Sequence, residues 1–146
     1  MTKNIGIFWF RQDLRLQDNL ALYEIVKECQ YIIPIYIYDH NMHIGSASKW
    51  WLEKSLNSLD ISLNHKKSKL FYFQGSPNDV IFDIISQLNV THVFWNRLYD
   101  SYSIKRDSEI KQKLISKKIF CKSYRSLVIN EPWNIKNKSG SFFKVF

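Results

Sequence analysis

Residues 5–22 read IGIFWFRQDLRLQDNLAL, and this stretch contains a strand, a charged loop and the beginning of a helix. The apolar run Ile5–Phe10 is rich in β-branched and aromatic residues, which is typical of a strand buried on both faces. Asp18 and Asn19 are good helix N-cap residues, and the amphipathic segment LALYEIVKEC follows them. The stretch therefore predicts the first strand and first helix of a βαβ unit.

The same alternation continues along the chain. The remaining helices are predicted from Ser46 or Ser48 to about Asn64, from Ser76-Pro77 to Leu88, and over Lys105–Lys118; the remaining strands are predicted at Ile32–Tyr38, Leu70–Phe73, Thr91–Trp95 and Ile119–Tyr124. Five strands that alternate with four helices favour a doubly wound, five-stranded parallel sheet of the α/β class. We expect a Rossmann- or flavodoxin-like domain with helices on both faces of the sheet.

The apolar positions of each predicted helix give an expected buried face. These positions are Leu20, Leu22, Ile25 and Val26 in the first helix; Trp51, Leu52, Leu56, Leu59 and Leu63 in the second; Val80, Ile81, Ile84, Ile85 and Leu88 in the third; and Ile110, Leu114 and Ile115 in the fourth. Trp51 is expected in the core, whereas its neighbour Trp50 is expected to be half exposed or to face another domain.

Length and composition exclude several classes of protein. The 146 residues suffice for one domain, and 16% aromatic residues with 23% charged residues exclude a disordered chain. No apolar run approaches the ~20 residues of a membrane span. The N-terminus lacks the pattern of a secretory signal, and the only cysteines are Cys29 and Cys121. We therefore expect a cytoplasmic protein without contact to a membrane.

The net charge of +8 permits a polyanionic partner such as DNA. Of the 21 basic residues, 16 are lysine, and the chain is also rich in isoleucine and asparagine. A bias toward A/T-rich codons would produce the same composition. Both interpretations stay open at this point.

Ligands of open parallel sheets bind at the carboxyl ends of the strands, near the point where the strand order reverses. Arg11 follows the first strand, Asp39 the second, and Asn96-Arg97 the fourth. Together these side chains suit a polar planar ring or the hydroxyl groups of a ribityl chain. Tyr36 and Tyr38 could stack on such a ring, and Arg15 and Asp18 are expected to fix the first loop through ion pairs.

Other kinds of site find little support. The chain contains neither G-x-G-x-x-G nor a P-loop motif, so a pyrophosphate cradled by backbone amides is not expected. His40 and His43 lack further ligands at zinc-site spacing, so we expect no metal. There is no G-x-S-x-G elbow, and neither cysteine is flanked by a base.

Four blocks of sequence resemble signatures of the DNA photolyase/cryptochrome family, in the order and spacing of that family. They are WFRQDLRLQDNLAL (9–22), GSASKWWLEKSLNSLD (45–60), WNRLYDSYSIKRDSEIK (95–111) and EPWNIKNKSGSFFKVF (131–146). The blocks span essentially the whole chain. The first block is the most specific, because it is not a general motif of nucleotide-binding folds.

This resemblance implies that residues 1–125 form the N-terminal α/β domain of a photolyase-like protein and that residues 126–146 begin an inter-domain linker. In the family, this domain holds an antenna chromophore: a deazaflavin, flavin mononucleotide (FMN) or methenyltetrahydrofolate. The antenna passes excitation energy to FAD, which belongs to a C-terminal helical domain together with the pocket for the pyrimidine dimer. We expect that domain to be absent from this chain, so no residue here is expected to be catalytic.

The resemblance also implies candidate binding residues. Tyr36 and Asp39 match positions that contact a deazaflavin or flavin antenna. Asn96, Arg97 and Asp100 lie in a loop that lines the antenna pocket, although relatives usually read Y-E-P where this chain has Tyr99-Asp100-Ser101. Ser48 stands where some deazaflavin binders have an arginine, so the type of antenna stays open. With Arg11, these five residues are the expected cofactor-binding set.

Two alternatives remain. The chain could be a stand-alone flavodoxin-like domain that binds a nucleotide or flavin, or a remnant whose pocket has no ligand. DNA should bind this chain weakly or not at all, and a separate helical FAD domain is a possible partner. Trimming the tail after about Tyr124–Ser126 should improve solubility, because it removes Trp133, Phe142, Phe143 and Phe146.

Overall fold

The structure is a computed structural model that describes residues 3–42 and 44–141. Five strands alternate with four α-helices, and a 3₁₀ turn follows the last strand. In chain order they are β1 (Ile5–Phe10), α1 (Leu20–Glu28), β2 (Tyr31–Tyr38), α2 (Ser46–Asn64), β3 (Phe71–Gln74), α3 (Pro77–Gln87), β4 (His92–Asn96), α4 (Ser101–Ser116), β5 (Phe120–Tyr124) and the 3₁₀ turn Pro132–Asn134.

The strands form one parallel sheet in the order β3-β2-β1-β4-β5. Helices α1 and α2 cover one face, where Phe8, Phe10, Ile25 and Leu59 are buried. Helices α3 and α4 cover the other face around Trp9 and the β4, α3 and α4 side chains packed against it. This is the doubly wound α/β architecture expected from the alternation of strands and helices, and the expectation is confirmed.

Two local sequence signals for helix starts are confirmed. The Asn19 side chain accepts a hydrogen bond from the backbone N–H of Leu22 and caps α1. Ser76 caps α3 in the same manner, with Pro77 in the first turn. The start of α4 was predicted too late, because the helix begins at Ser101 with Asp100 as its cap. Ser101, Tyr102 and Ser103 are polar or aromatic, and they hid that first turn from the apolar pattern.

Some side chains expected in the core are exposed. They lie near helix ends or on the outer faces of helices: Leu20, Val26, Trp51, Leu88 and Ile115. The prediction of a buried Trp51 is therefore wrong, since 67% of this residue is exposed. Helix α2 buries Leu59 and Leu63 instead, toward its C-terminal end.

The segment after β5 packs back onto the loop that follows β4. Glu131 is buried and forms an ion pair with Arg97, and the Trp133 ring lies 5.9 Å from the Tyr99 ring. Because of this contact, only about half of the Trp133 side chain is exposed to solvent. The prediction that trimming the tail improves solubility also named Phe142, Phe143 and Phe146. These three residues lie outside the described residues.

Candidate functional site

A cavity of about 700 Å³ opens at the carboxyl edge of the sheet, between the loop after β1 and the first turns of α2. Its size lies within the range of small-molecule sites. The loop contributes Arg11, Gln12 and Arg15, β2 contributes Tyr36, and the remaining wall is largely apolar: Leu14, Met42, Ile44, Ala47, Trp51 and Leu52, with Ser48 and Ser55. A planar ring would find aromatic and aliphatic contacts on one side and cations on the other.

Arg11 lines this cavity, and its side chain is held by contacts with β1 and α4. Its guanidinium forms an ion pair with Asp107 of α4 and lies 4.8 Å from the centroid of the Trp9 ring. Burial lowers the pKa of Arg11, and the nearby Asp107 carboxylate opposes that effect. The Nε and Nη2 atoms of Arg11 have no hydrogen-bond partner among the described residues. Both atoms are buried, so Arg11 has unpaired donors inside the protein next to the cavity that it lines.

Tyr36 and Trp51 supply the aromatic surfaces of the cavity. Tyr36 is buried on β2, and burial, with the neighbouring Tyr38, raises the pKa of its phenol to about 12. The phenol is therefore neutral at physiological pH. Trp51 lies at the open side, where its exposed ring is free to contact a ligand.

Asp39 does not line this cavity. Its Oδ2 atom accepts hydrogen bonds from the Tyr102 hydroxyl at 2.8 Å and from Arg106 Nη1 at 3.3 Å, and its Oδ1 atom accepts one from the Asn41 backbone N–H. The carboxylate is almost completely buried. Asp39 thus ties the end of β2 to α4.

Asn96 closes the crevice between β1 and β4, which is the point where the strand order reverses. Its Nδ2 atom donates to Asp13 Oδ2 at 2.6 Å and to Asn19 Oδ1 at 2.7 Å. Asp13 also accepts a hydrogen bond from the backbone N–H of Arg11. This network lies in the crevice, whereas the large cavity lies on the β2 side of β1.

Arg97 and Asp100 also have local partners. Arg97 pairs with Glu131, and its Nη1 atom donates to the carbonyl oxygen of Ser123 at 2.6 Å. Asp100 accepts a hydrogen bond from the backbone N–H of Ser103 at 2.8 Å. Neither residue lines the large cavity.

Of the six expected binding residues, the structure brings Arg11 and Tyr36 together at the cavity. Asp39, Asn96, Arg97 and Asp100 lie at the same edge of the sheet, within hydrogen-bond networks that join the loops. Of the wall formed by α2, sequence reasoning singled out only Ser48, as a position that bears on the type of antenna, and missed the rest. A signal for it existed, because Ser48, Trp51 or Leu52, and Ser55 recur at three- and four-residue spacing and share one helix face.

We next consider three other features that the described residues could provide: a metal site, a nucleophilic thiol and a membrane-spanning helix. Within residues 3–42 and 44–141, no group of His, Cys, Asp and Glu side chains could hold a metal ion. His43 lies outside these ranges. Burial raises the pKa of the Cys29 thiol to about 11, so this thiol is a poor nucleophile at neutral pH. Among the described helices, none is long and apolar enough to cross a membrane.

Comparison with known proteins identifies relatives over nearly the whole chain. A family model for DNA photolyase matches residues 6–146. Deoxyribodipyrimidine photo-lyase of Agrobacterium fabrum is 36% identical over 141 residues, which cover 96% of this chain and 29% of that protein. Cryptochrome-2 of Arabidopsis thaliana is 35% identical over 145 residues, 96% of this chain and 24% of the relative. The chain thus spans less than a third of the length of these two relatives.

Solved structures agree with this result. A class III photolyase from Agrobacterium tumefaciens superposes with a TM-score of 0.94 at 35% identity, covering 99% of this chain and 30% of that one. A photolyase from Sulfolobus tokodaii has a TM-score of 0.79 at 30% identity, covering 88% and 31%. The latter structure contains two FAD molecules and implies a novel light-harvesting cofactor in that protein. The matched regions are the N-terminal domains of photolyases.

Proposed function

The chain belongs to the DNA photolyase family, and on that premise we propose that its cavity binds a light-harvesting chromophore. The observation that carries the proposal is the 700 Å³ cavity with Arg11 in its lining and Trp51 at its open side. A cationic side chain suits the carbonyl or anionic groups of a dye, and the aromatic wall suits its ring. FMN, a deazaflavin and methenyltetrahydrofolate all combine a planar heteroaromatic ring with such polar groups.

The six expected residues divide into two roles in this proposal. Arg11 and Tyr36 contact the chromophore, since both line the cavity. Asp39 and Asn96 position the loops after β2 and β4 through their buried hydrogen bonds. Arg97 and Asp100 also position the loop after β4 without contacting the chromophore. Arg97 does so through its ion pair with Glu131 of the tail, and Asp100 does so by capping the first turn of α4.

The experiment that tests binding is a titration of the chain with each of the three dyes, followed by absorbance and fluorescence. We expect one dye to bind with a shifted spectrum. Trp51→Ala should weaken that binding about tenfold, because one aromatic contact is lost. Trp50→Ala is the matched control, because Trp50 is a neighbouring, exposed tryptophan outside the cavity lining.

Two results would contradict the proposal. Failure of all three dyes to bind would leave the cavity without its proposed ligand. Equal weakening by Trp50→Ala and Trp51→Ala would show that any dye taken up binds elsewhere. Arg11→Ala is less informative on its own, since it also leaves Asp107 without one of its partners.

For the whole protein, we propose light-driven repair of pyrimidine dimers in DNA, with FAD in a C-terminal helical domain. In this proposal, residues 1–125 form the antenna domain and residues 126–146 begin the linker. Support comes from the family membership and from photolyases that are about three times as long. The test is illumination of dimer-containing DNA with the dye-loaded chain. Repair should require an added FAD-containing domain. Repair by this chain alone would refute the assignment of the repair reaction to that domain.

A further inference from the structure

A second cavity, of about 150 Å³, lies at the carboxyl ends of β4 and β5, where the tail packs beside α4. We call it the tail cavity. Its polar groups come from three elements, with Arg97 after β4, Lys111 on α4 and Ser123 on β5, and Trp133 of the tail lines it as well. It shares no lining residue with the larger cavity. Its volume is well above the ~10–15 Å³ that one water molecule needs and below the ~300 Å³ at which drug-sized sites begin.

Two cations converge on one hydroxyl group in the tail cavity. Ser123 Oγ accepts a hydrogen bond from Lys111 Nζ at 3.2 Å and another from Arg97 Nη1 at 3.3 Å. A hydroxyl oxygen has two acceptor lone pairs, so both are used here. The Ser123 proton remains available for donation, and no described residue accepts it. Lys111 has two further N–H donors, because an ammonium group carries three and one is used on Ser123.

The carboxylates around the tail cavity leave Lys111 without a counterion. Glu131 pairs with Arg97, and Asp107, which also lines the cavity, pairs with two arginine side chains. None of the six ion pairs in the described part of the chain includes Lys111. The Lys111 side chain is nevertheless half-buried. Its charge is therefore partly removed from water without an anion to offset the cost.

We propose that the tail cavity binds a small oxyanion, of which inorganic phosphate is the representative. Lys111 Nζ and the Ser123 hydroxyl donate hydrogen bonds to it, and the Arg97 guanidinium adds positive charge. Hydrogen bonds from a cation to an anion are shorter and stronger than neutral ones. The volume admits an ion of a few atoms and is too small to enclose a nucleotide. Because the two cavities have no lining residue in common, this proposal does not depend on the antenna function.

The test is thermal unfolding of the 146-residue chain, followed by tryptophan fluorescence, in low-millimolar phosphate. Sodium chloride keeps the ionic strength constant. We expect the Tm to rise and then level off, with a gain of about 4 °C when phosphate is tenfold above its Kd. Phosphate also stabilises proteins because it is excluded from their surface, but that effect grows with concentration and does not level off.

Lys111→Gln should weaken phosphate binding about tenfold, because the anion loses a charge-assisted hydrogen bond. The variant should fold as well as the parent in chloride, since glutamine can still donate to Ser123 and the unpaired charge is gone. Its urea midpoint in chloride verifies this. Lys113→Gln is the matched control. It removes the same charge from the same helix, where Lys113 Nζ donates to Asn78 Oδ1 at 3.0 Å and lies outside the cavity lining.

Three outcomes would overturn the proposal. A parent Tm that does not respond to phosphate would mean that the cavity has no affinity for it. The same response in the parent and in Lys111→Gln would place the bound phosphate elsewhere. Equal weakening by Lys111→Gln and Lys113→Gln would mean that phosphate responds to net charge and not to this cavity.

Discussion

Gly6 determines how closely α1 approaches β1. A Cβ atom at this position would lie 2.7 Å from Ile25 Cδ1 and 2.8 Å from Cys29 Sγ, both closer than a normal contact. Ile25 and Cys29 are buried members of the α1 face that packs on the sheet. The missing side chain of Gly6 is therefore part of the packing between strand and helix.

Gly6→Ala should lower the free energy of unfolding by about 1–3 kcal/mol, because the added methyl group overfills a close-packed interface. Urea denaturation followed by tryptophan fluorescence measures the difference. Gly45→Ala serves as the control, since a Cβ atom there meets nothing within 4 Å and the backbone φ is −68°. A loss of equal size at Gly45 would disprove the steric explanation.

Helix α4 connects the edge of the sheet to Arg11 in the lining of the cavity. Its inward face is partly polar, because Ser103 and Arg106 are buried there with Ile110 and Leu114. Asp100 caps the helix. Burial alone would raise the pKa of Asp100, but hydrogen bonds from Ser103 outweigh that effect and hold the pKa below its usual value. The ionised cap therefore stabilises the folded protein.

Asp100→Ala should lower the free energy of unfolding by about 1 kcal/mol at pH 7, because the first turn loses its cap. A carboxylate with a lowered folded pKa stabilises the protein fully above its unfolded pKa. The difference from the parent should therefore stay constant down to about pH 5 and shrink as the pH falls below about 4. Urea denaturation at several pH values measures it.

Asp100→Asn provides the comparison for this prediction, since asparagine is also a good N-cap. Its stability should stay close to that of the parent at pH 7. Its difference from Asp100→Ala should depend little on pH. A pH-independent difference between the parent and Asp100→Ala would refute the role assigned to the charge.

Among the described residues, an ion pair, an aromatic contact and a hydrogen bond from Arg15 Nη2 to Ser126 Oγ help to hold the tail to the rest of the molecule. Glu131 is largely buried against Arg97, and Trp133 lies beside Tyr99. Trimming the tail after about Tyr124–Ser126 would remove these contacts as well as exposed apolar surface. The predicted gain in solubility would then come together with a loss of packing around Arg97.

Glu131→Gln should increase the rate of tryptic cleavage after Arg125 about tenfold, because the tail loses its charge-assisted hydrogen bonds and detaches more often. Gel electrophoresis or mass spectrometry of timed digests measures the rate. Glu109→Gln is the control: it makes the same change at an exposed carboxylate of α4 that forms none of the ion pairs in the described part of the chain. Equal rates for the parent and Glu131→Gln would exclude the ion pair as the tail's anchor.

Local signals in the sequence were sufficient to predict the strands and helices and the α/β fold class. The run Ile5–Phe10 and the cap at Asn19 predict β1 and α1 where the structure has them, because apolar periodicity and capping act over a few residues. They do not predict that Trp51 is exposed at a cavity. Burial of that side chain depends on what packs against the first turns of α2, and no neighbouring residue in the sequence carries that information.

The sequence by itself determined the parallel α/β fold, the family and the edge of the sheet at which polar side chains gather. Only the tertiary structure decided which of these side chains line the cavity. The reason is that a buried charge must find a partner in space. Arg11 pairs with Asp107, 96 residues away, and Asp39 pairs with Arg106, 67 residues away. Those partners lie on α4, which packs on the sheet only when the fold is complete, and they hold Arg11 at the cavity while they draw Asp39 away from it.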